Sequence, residues 1–255
     1  KGSDQSEKNI KKDLIYIQDN PNKMLRNAYK LFQEGNDKES IELAVKVLEI
    51  GKKTKNDTLV GKALTSLCRN SQRKLDTIRL AELSEELINL SNSSGDKQWI
   101  MYQAHMNAEM WRLIGNMDKA ESYYNQSMEI SNEIGAKGMY MIDHFNKSFV
   151  ATTKGDFNSA RNLINKYYQL RKEMNRNPED AYGLIALAFL LEKEGNYEGA
   201  YEVCVVTRRL FNEQNIFPEP TDEKPLLFVE KISEKKVDKT SRDEIIERSY
   251  NQSVN

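Results

Sequence analysis

Proline, glycine and cysteine are scarce in this chain of 255 residues, which has 5 Pro, 12 Gly and 2 Cys. Few helix breakers, together with abundant Lys, Glu, Leu, Ile and Ala, favour helix over sheet. The two cysteines, Cys68 and Cys204, lie far apart in the sequence, which argues against a disulfide framework. We expect both to be small core residues.

The chain also lacks an excess of charge and a long hydrophobic run. Its formal net charge is −1, which disfavours nucleic-acid binding by this chain alone. The longest apolar run, GLIALAFLL from Gly183 to Leu191, is shorter than the roughly 18 to 20 residues of a membrane-spanning helix. We therefore expect no membrane span. A cytoplasmic location is favoured, and the alternative is an exported or lipid-anchored protein after removal of a signal segment.

A short phrase recurs in the chain with a fixed stride. It reads EGNDKES, IGNMDKA, KGDFNSA and EGNYEGA, and its glycines are Gly35, Gly115, Gly155 and Gly195. The glycines are 40 residues apart, except for the interval from Gly35 to Gly115, which is twice as long. This spacing predicts a further unit with its anchor at residue 75, where Leu75 replaces the glycine. These five positions are called the anchors. A small residue stands seven places before every anchor: Ala28, Cys68, Ala108, Ser148 and Ala188.

Each unit is predicted to be two helices joined by a tight turn at the anchor. In the third unit the first helix is predicted from Tyr102 to Ile114, and Gly115 ends it as a C-terminal glycine does. Small residues that face each other let the two helices approach closely. A single hairpin cannot bury its apolar face, so the units must stack.

These phrases, each with a small residue seven places upstream, resemble the tetratricopeptide repeat (TPR) family over five units. The stride of 40 differs from the family's usual 34, and no unit keeps its full Trp, Leu-Gly and Tyr pattern. The resemblance implies an all-α, right-handed α-solenoid of five to six antiparallel helix pairs. It also implies a non-enzymatic protein–protein or peptide interaction module, a scaffold or sensor. Repeat arrays with a long stride of this kind are similar to the arrays of bacterial signalling proteins.

The predicted boundaries follow the stride. Residues 1–20 are interpreted as a polar tail and capping helix, and residues 218–255 as a Pro-rich break followed by a degenerate sixth helix pair or a tail. Between them lies the TPR-like array of residues 21–217. Its units lie near 21–60, 61–100, 101–140, 141–180 and 181–217.

No converging set of catalytic residues stands out in the sequence. His105 and Glu109 are four residues apart and would share a helical face, which leaves a metal-dependent hydrolase as an alternative. The chain has no His-Glu-x-x-His run and no paired cysteines. We therefore expect no enzyme, no cofactor and no metal. A further alternative is the sensing domain of a longer regulatory or membrane-anchored protein.

In the resembled family, the first helix of each unit lines an inner groove at the places 13, 10, 6 and 3 before the anchor. The first unit carries Asn22, Leu25, Tyr29 and Phe32 at these places. The second and third units carry cations on this face, and the fourth and fifth carry aromatic residues. The predicted ligand groove consists of Lys62, Arg69, Arg73, Tyr102, His105, Glu109, Arg112, Phe145, Phe149, Tyr182, Ile185 and Phe189.

Such a groove is expected to hold a protein or peptide partner by an acidic group and to bury its apolar side chains alongside. The identity of that partner is not indicated. Two alternatives stay open. In one, Arg69 and Glu109 pair with each other. In the other, the phenylalanine cluster belongs to the core between repeats. No unit has Asn six places before its anchor, so binding of a chaperone tail is not predicted.

Overall fold

The computed structural model describes residues 20–177, 181–214, 218 and 220–251, and the predicted capping helix therefore lies outside the described residues. Every regular element within these ranges is an α-helix, which confirms the predicted all-α class. The helices are α1 (Pro21–Gln33), α2 (Asp37–Thr54), α3 (Asp57–Arg73), α4 (Thr77–Ser94), α5 (Lys97–Ile114), α6 (Met117–Glu133), α7 (Lys137–Thr153), α8 (Phe157–Glu173), α9 (Ala181–Lys193), α10 (Tyr197–Gln214), α11 (Pro220–Lys236) and α12 (Lys239–Asn251).

Most of these helices end at a residue with a left-handed backbone. The left-handed residues of the described ranges lie 20 apart, which is half the sequence stride. They are Gly35, Lys55, Leu75, Gly95, Gly115, Gly135, Gly155, Asn175 and Gly195. The turns predicted at the anchors are therefore confirmed, including the unmarked one at Leu75. Glycine dominates the series because it adopts a positive φ without a steric penalty.

The turn at Gly115 shows why the repeated phrase joins glycine to Asn or Asp. The amides of Gly115 and Asn116 donate to Arg112 O and Trp111 O at 3.1 and 2.9 Å, which closes the preceding helix. The Asn116 side chain then accepts from the amide of Lys119 at 3.1 Å and caps the next helix. The same cap is made by Asp76, Asp156 and Asn196. The repeated phrase therefore ends one helix and begins the next.

Two columns of residues bring the helices of each pair together. The small residues seven places before the anchors, Ala28, Cys68, Ala108, Ser148 and Ala188, are all fully buried. The residues five places after the anchors, Ser40, Leu80, Ala120, Ala160 and Ala200, are fully buried as well. Burial raises the pKa of the Cys68 thiol to about 12, and both cysteines are free thiols. They behave as core residues, as predicted.

The described part of the chain divides into two compact units, one that ends at Gln103 and one that begins at Ala104. From here on, the first unit and the second unit mean these two compact units, and the sequence repeats are called repeats. Within each unit, consecutive helices pack against each other, as α1 with α2 and α9 with α10. Alternate helices also pack side by side: α1 against α3 in the first unit, and α9 against both α7 and α11 in the second. The odd-numbered helices of a unit are called its first-helix layer.

The last two helices follow the Pro-rich break and pack on α10. The Asp238 side chain accepts from the amide of Ser241 at 3.0 Å and caps the start of α12. Val237 and Ile245 are buried against Tyr201 of α10. Both α11 and α12 are thus attached to the array. None of the helices in the described ranges combines the length and apolar composition needed to cross a bilayer.

Candidate functional site

A groove of about 590 Å³ lies on the first-helix layer of the first unit. Side chains from α1, α3 and the first turns of α5 line it. Among the predicted groove residues, the structure brings Lys62, Arg69 and Tyr102 together here. Asn22, Leu25 and Tyr29, which stand at the equivalent places of the first repeat, line it too.

Positive charge dominates the lining of this groove. Arg26 and Lys30 lie on the α1 side, and Lys62 and Arg69 lie on the α3 side. No carboxylate-bearing residue among those described lines the groove. The ammonium of Lys30 is 3.7 Å from the carboxylate of Glu34, but both side chains are largely exposed, so this pair neutralises little.

Aromatic rings are placed next to these cations. The Tyr29 side chain is 46 % exposed, and the Arg69 guanidinium lies 5.4 Å from the centre of its ring. A guanidinium over an aromatic face is held by the ring quadrupole, so Tyr29 helps to fix the position of Arg69. Trp99 and Tyr102 lie on the α5 side, with ring centres 6.1 Å apart.

Gly61 allows the floor of the groove to form. The indole of Trp99 is only 2 % exposed and rests on the α3 backbone at Gly61. A Cβ atom at this position would clash with the six-membered ring of the indole. The absence of a side chain on Gly61 therefore sets how closely Trp99 approaches α3.

Arg73 was predicted to face the ligand, but it lies outside the groove. Its guanidinium covers the Phe32 ring at 3.7 Å and donates to the Phe32 carbonyl oxygen. It also pairs with the Asp37 carboxylate at 3.2 Å. Arg73 thus ties α3 to the end of α1 and the start of α2, and its role is to hold the turn at Gly35.

In the second unit, His105 is part of a buried polar cluster. Its Nδ1 lies 2.6 Å from Asp143 Oδ1, and the Ser127 hydroxyl donates to Asp143 Oδ2 at 2.6 Å. Asp143 is fully buried and His105 is 7 % exposed. In the described ranges, no group of three or more His, Cys, Asp or Glu side chains is placed to hold a metal ion.

Glu109 is engaged at both carboxylate oxygens. Arg112 Nη2 donates to one oxygen at 2.6 Å, and the Tyr124 hydroxyl donates to the other. Burial acts to raise the pKa of Glu109, but the charges of Arg112 and His105, with the hydrogen bonds from Arg112 and Tyr124, outweigh it and hold this pKa below its ordinary value. Burial and the adjacent Glu109 carboxylate raise the pKa of Tyr124.

The predicted aromatic residues of the second unit pack mainly against each other. The Phe149 ring centre lies 5.2 Å from that of Phe145 and 5.7 Å from that of Phe189. Phe145 and Phe149 are buried and Ile185 is fully buried, while Phe189 and Tyr182 pack against the same core. This arrangement agrees with the alternative in which the phenylalanine cluster belongs to the core between repeats.

Sequence reasoning missed six residues that line the groove of the first unit: Arg26, Lys30, Gln33, Ser66, Gln98 and Trp99. Arg26 and Lys30 follow Asn22 at four-residue intervals, so they lie on the same face of α1. That spacing was the signal that could have found them. Trp99 was missed because α5 begins at Lys97 rather than at the predicted Tyr102.

Comparison with solved structures agrees with the helical, repeat-like fold. BtubC (BKLC) from P. vanneervenii is similar to the chain with a TM-score of 0.57 and 16 % sequence identity. The similarity covers 86 % of this chain and 89 % of that one. At this identity the likeness shows the fold alone. No protein-family model matches the chain, and no curated protein matches it in sequence.

Proposed function

We propose that the chain is a non-enzymatic interaction module of the TPR-like kind that binds a protein or peptide partner on the first-helix layer of its first unit. The observation that carries this proposal is the open groove across α1, α3 and α5, in which exposed Tyr29 stands among cations that no lining carboxylate neutralises. An exposed aromatic ring and positioned Arg side chains are the groups that most often anchor protein partners.

The surroundings of the groove support a peptide as the bound species. Its lining comes from three separate helices, so a ligand with several side chains can contact all of them at once. The rigid helices, ended by regular turns, present these side chains in a fixed arrangement, which reduces the ordering cost of binding. The stack of helix hairpins supplies this platform, and only side chains need to differ between one partner and another.

Site-directed crosslinking tests the proposal. A photoreactive phenylalanine analogue at Tyr29 is expected to give a discrete crosslinked product in a lysate of the source organism. The same analogue at Ile78, which is 76 % exposed on α4, is the matched control outside the groove.

Competition decides whether the product comes from the groove. Excess unlabelled parent protein should abolish the product, whereas excess Tyr29→Ala/Arg69→Ala protein should leave most of it. If Ile78 gives the same product, or if the double variant competes as well as the parent, the groove of the first unit is not the binding face.

A further inference from the structure

Two rows of cations, one on α1 and one on the neighbouring α3, line the groove of the first unit. On α1, Arg26 and Lys30 are one helical turn apart, and on α3, Lys62 and Arg69 are two turns apart. At a rise of 1.5 Å per residue, the α3 row extends over about 10 Å, which is the length of about three residues of extended chain. A ligand in the groove therefore meets positive charge along several of its residues.

These cations are available to a ligand to different degrees. Among the described residues, Arg26 and Lys62 have no ion-pair partner, and Arg69 has none besides its contact with the Tyr29 ring. Lys30 has its exposed partner in Glu34. Like charges gathered in one concave site repel each other and attract anions, and a neutral or basic ligand would leave that repulsion in place.

Beside the cations and several uncharged polar side chains, the lining also contains apolar and aromatic residues. Leu25 and Tyr29 contribute on the α1 side, and Trp99 and Tyr102 on the α5 side. An apolar side chain of a ligand in the groove can contact these residues. The surface thus combines carboxylate-binding groups with a place for one apolar side chain.

We infer that the groove binds an acidic peptide segment in which at least two Asp or Glu side chains flank an apolar or aromatic residue. This inference rests on the proposed function and adds the chemistry of the ligand. Arg69, oriented by Tyr29, takes one carboxylate through charge-assisted hydrogen bonds, and Lys62 or Arg26 takes another. A nucleic acid is disfavoured, because the formal net charge of −1 gives the chain no extended positive field to hold a phosphate backbone.

Selection from a displayed library of random dodecapeptides tests this chemistry without a known partner. Peptides selected on the parent protein should be enriched in Asp and Glu around an apolar residue. Their affinity should fall about tenfold or more in Arg69→Ala, as expected for one lost charge-assisted hydrogen bond, and it should weaken with added salt. Arg79→Ala is the matched control, because Arg79 is exposed on α4 and pairs with Glu82 outside the groove.

A charge reversal sharpens the test. Selection on Arg26→Glu/Lys62→Glu should yield basic peptides instead, while Arg79→Glu should still yield acidic ones. Circular dichroism spectra and melting temperatures that match the parent show that the variants are folded. These substitutions lie on exposed side chains, so we expect the fold to be retained.

The outcomes separate the two claims. Peptides that need Tyr29 for binding but carry no acidic enrichment would overturn the acidic ligand and leave the binding groove standing. If every selected peptide binds the Tyr29→Ala/Arg69→Ala variant as well as the parent, or if no peptide is selected, both claims fail.

Discussion

Tyr29 and Phe149 occupy the same place in the repeat, six residues before the anchor, yet their surroundings are opposite. Tyr29 is 46 % exposed on the first-helix layer of the first unit, with Arg69 over its ring. Phe149 is 5 % exposed in the second unit, packed against Phe189 and approached by the Arg112 guanidinium at 5.7 Å. One repeated backbone thus presents a surface in one unit and a packed core in the other.

The neighbouring side chains account for this difference. In the second unit, the equivalent places on adjacent helices carry Phe149 and Phe189, which bury each other. In the first unit they carry Tyr29 and Arg69, and the Arg69 guanidinium, 5.4 Å from the ring centre, leaves Tyr29 46 % exposed. Burying the Arg69 cation without a partner would cost free energy, which favours an open surface there. We therefore expect the exposed surface of such an array to depend on pairs of residues one stride apart.

The largest difference in stability is expected between the variants that truncate these two equivalent aromatic residues. Phe149→Ala should lower the free energy of unfolding by about 3–5 kcal/mol, because it leaves a cavity in the core. Tyr29→Ala should change it by only about 0.5 kcal/mol, because the ring is exposed at the surface. Urea unfolding followed by circular dichroism measures both. Equal losses would remove the contrast between the two units.

An intermediate effect is expected at the floor of the groove. Gly61→Ala should destabilise the protein by about 1–3 kcal/mol, because the new methyl group displaces the Trp99 ring. Gly138→Ala on α7 is the matched control, since a methyl group there meets no neighbouring atom, and it should be neutral or stabilising. Thermal denaturation measures both variants. A Gly61→Ala protein as stable as the parent would show that Trp99 does not depend on this close approach.

Acid is expected to act on the second unit through Glu109. Because the pKa of Glu109 in the folded protein is below its ordinary value of 4.5, its contribution to stability is present above that value and is lost as the pH falls through the folded pKa. Glu109→Gln should therefore be less stable at neutral pH and should lose less stability in acid. The free energy of unfolding, measured from neutral pH into the acid range, gives this slope.

Glu129→Gln, on the exposed side of α6, is the control for that measurement and should retain the parental slope. Hydrogen exchange at low pH should show faster opening of α5 and α6 than of α1 and α3. If Glu109→Gln retains the parental slope, the Arg112 and Tyr124 contacts do not stabilise the charged carboxylate.

The smallest effect is expected at the turns that lack glycine. Lys55 has φ 53° and is exposed, so Lys55→Gly should gain up to about 1 kcal/mol by relieving a left-handed backbone. Asn175→Gly should gain less, because Asn tolerates this conformation better than most residues. Melting temperatures rank the two variants. A gain for Asn175→Gly above that for Lys55→Gly would contradict the explanation from backbone strain.

Turns and helix pairing were predictable from the sequence because their signals are local. Gly115 and Asn116 end one helix and begin the next through hydrogen bonds within a few residues of themselves. The buried columns through Ala28 and Ala108 followed from the same register. The left-handed turn at Lys55 was not predicted, because a lysine gives no signal for it.

The candidate site was predicted only in part, because its geometry depends on contacts between distant residues. Arg69 and Arg73 are one turn apart on α3, yet one lines the groove and the other is held by Phe32 and Asp37. No sequence pattern near Arg73 indicates its contacts with Phe32 and Asp37. The binding roles predicted for the buried residues of the second unit, such as His105, stay predictions.

Because Trp99 packs on Gly61 at the groove floor, its intrinsic fluorescence can also report on the groove. The chain has two tryptophans, and the other, Trp111, lies in the second unit with the Lys119 ammonium 3.9 Å from its ring centre. A Trp111→Phe protein would carry its only indole at the groove floor. Its emission would respond to changes in polarity around that single ring. Occupancy of the groove could then be followed in real time by fluorescence, with no dye attached to either molecule.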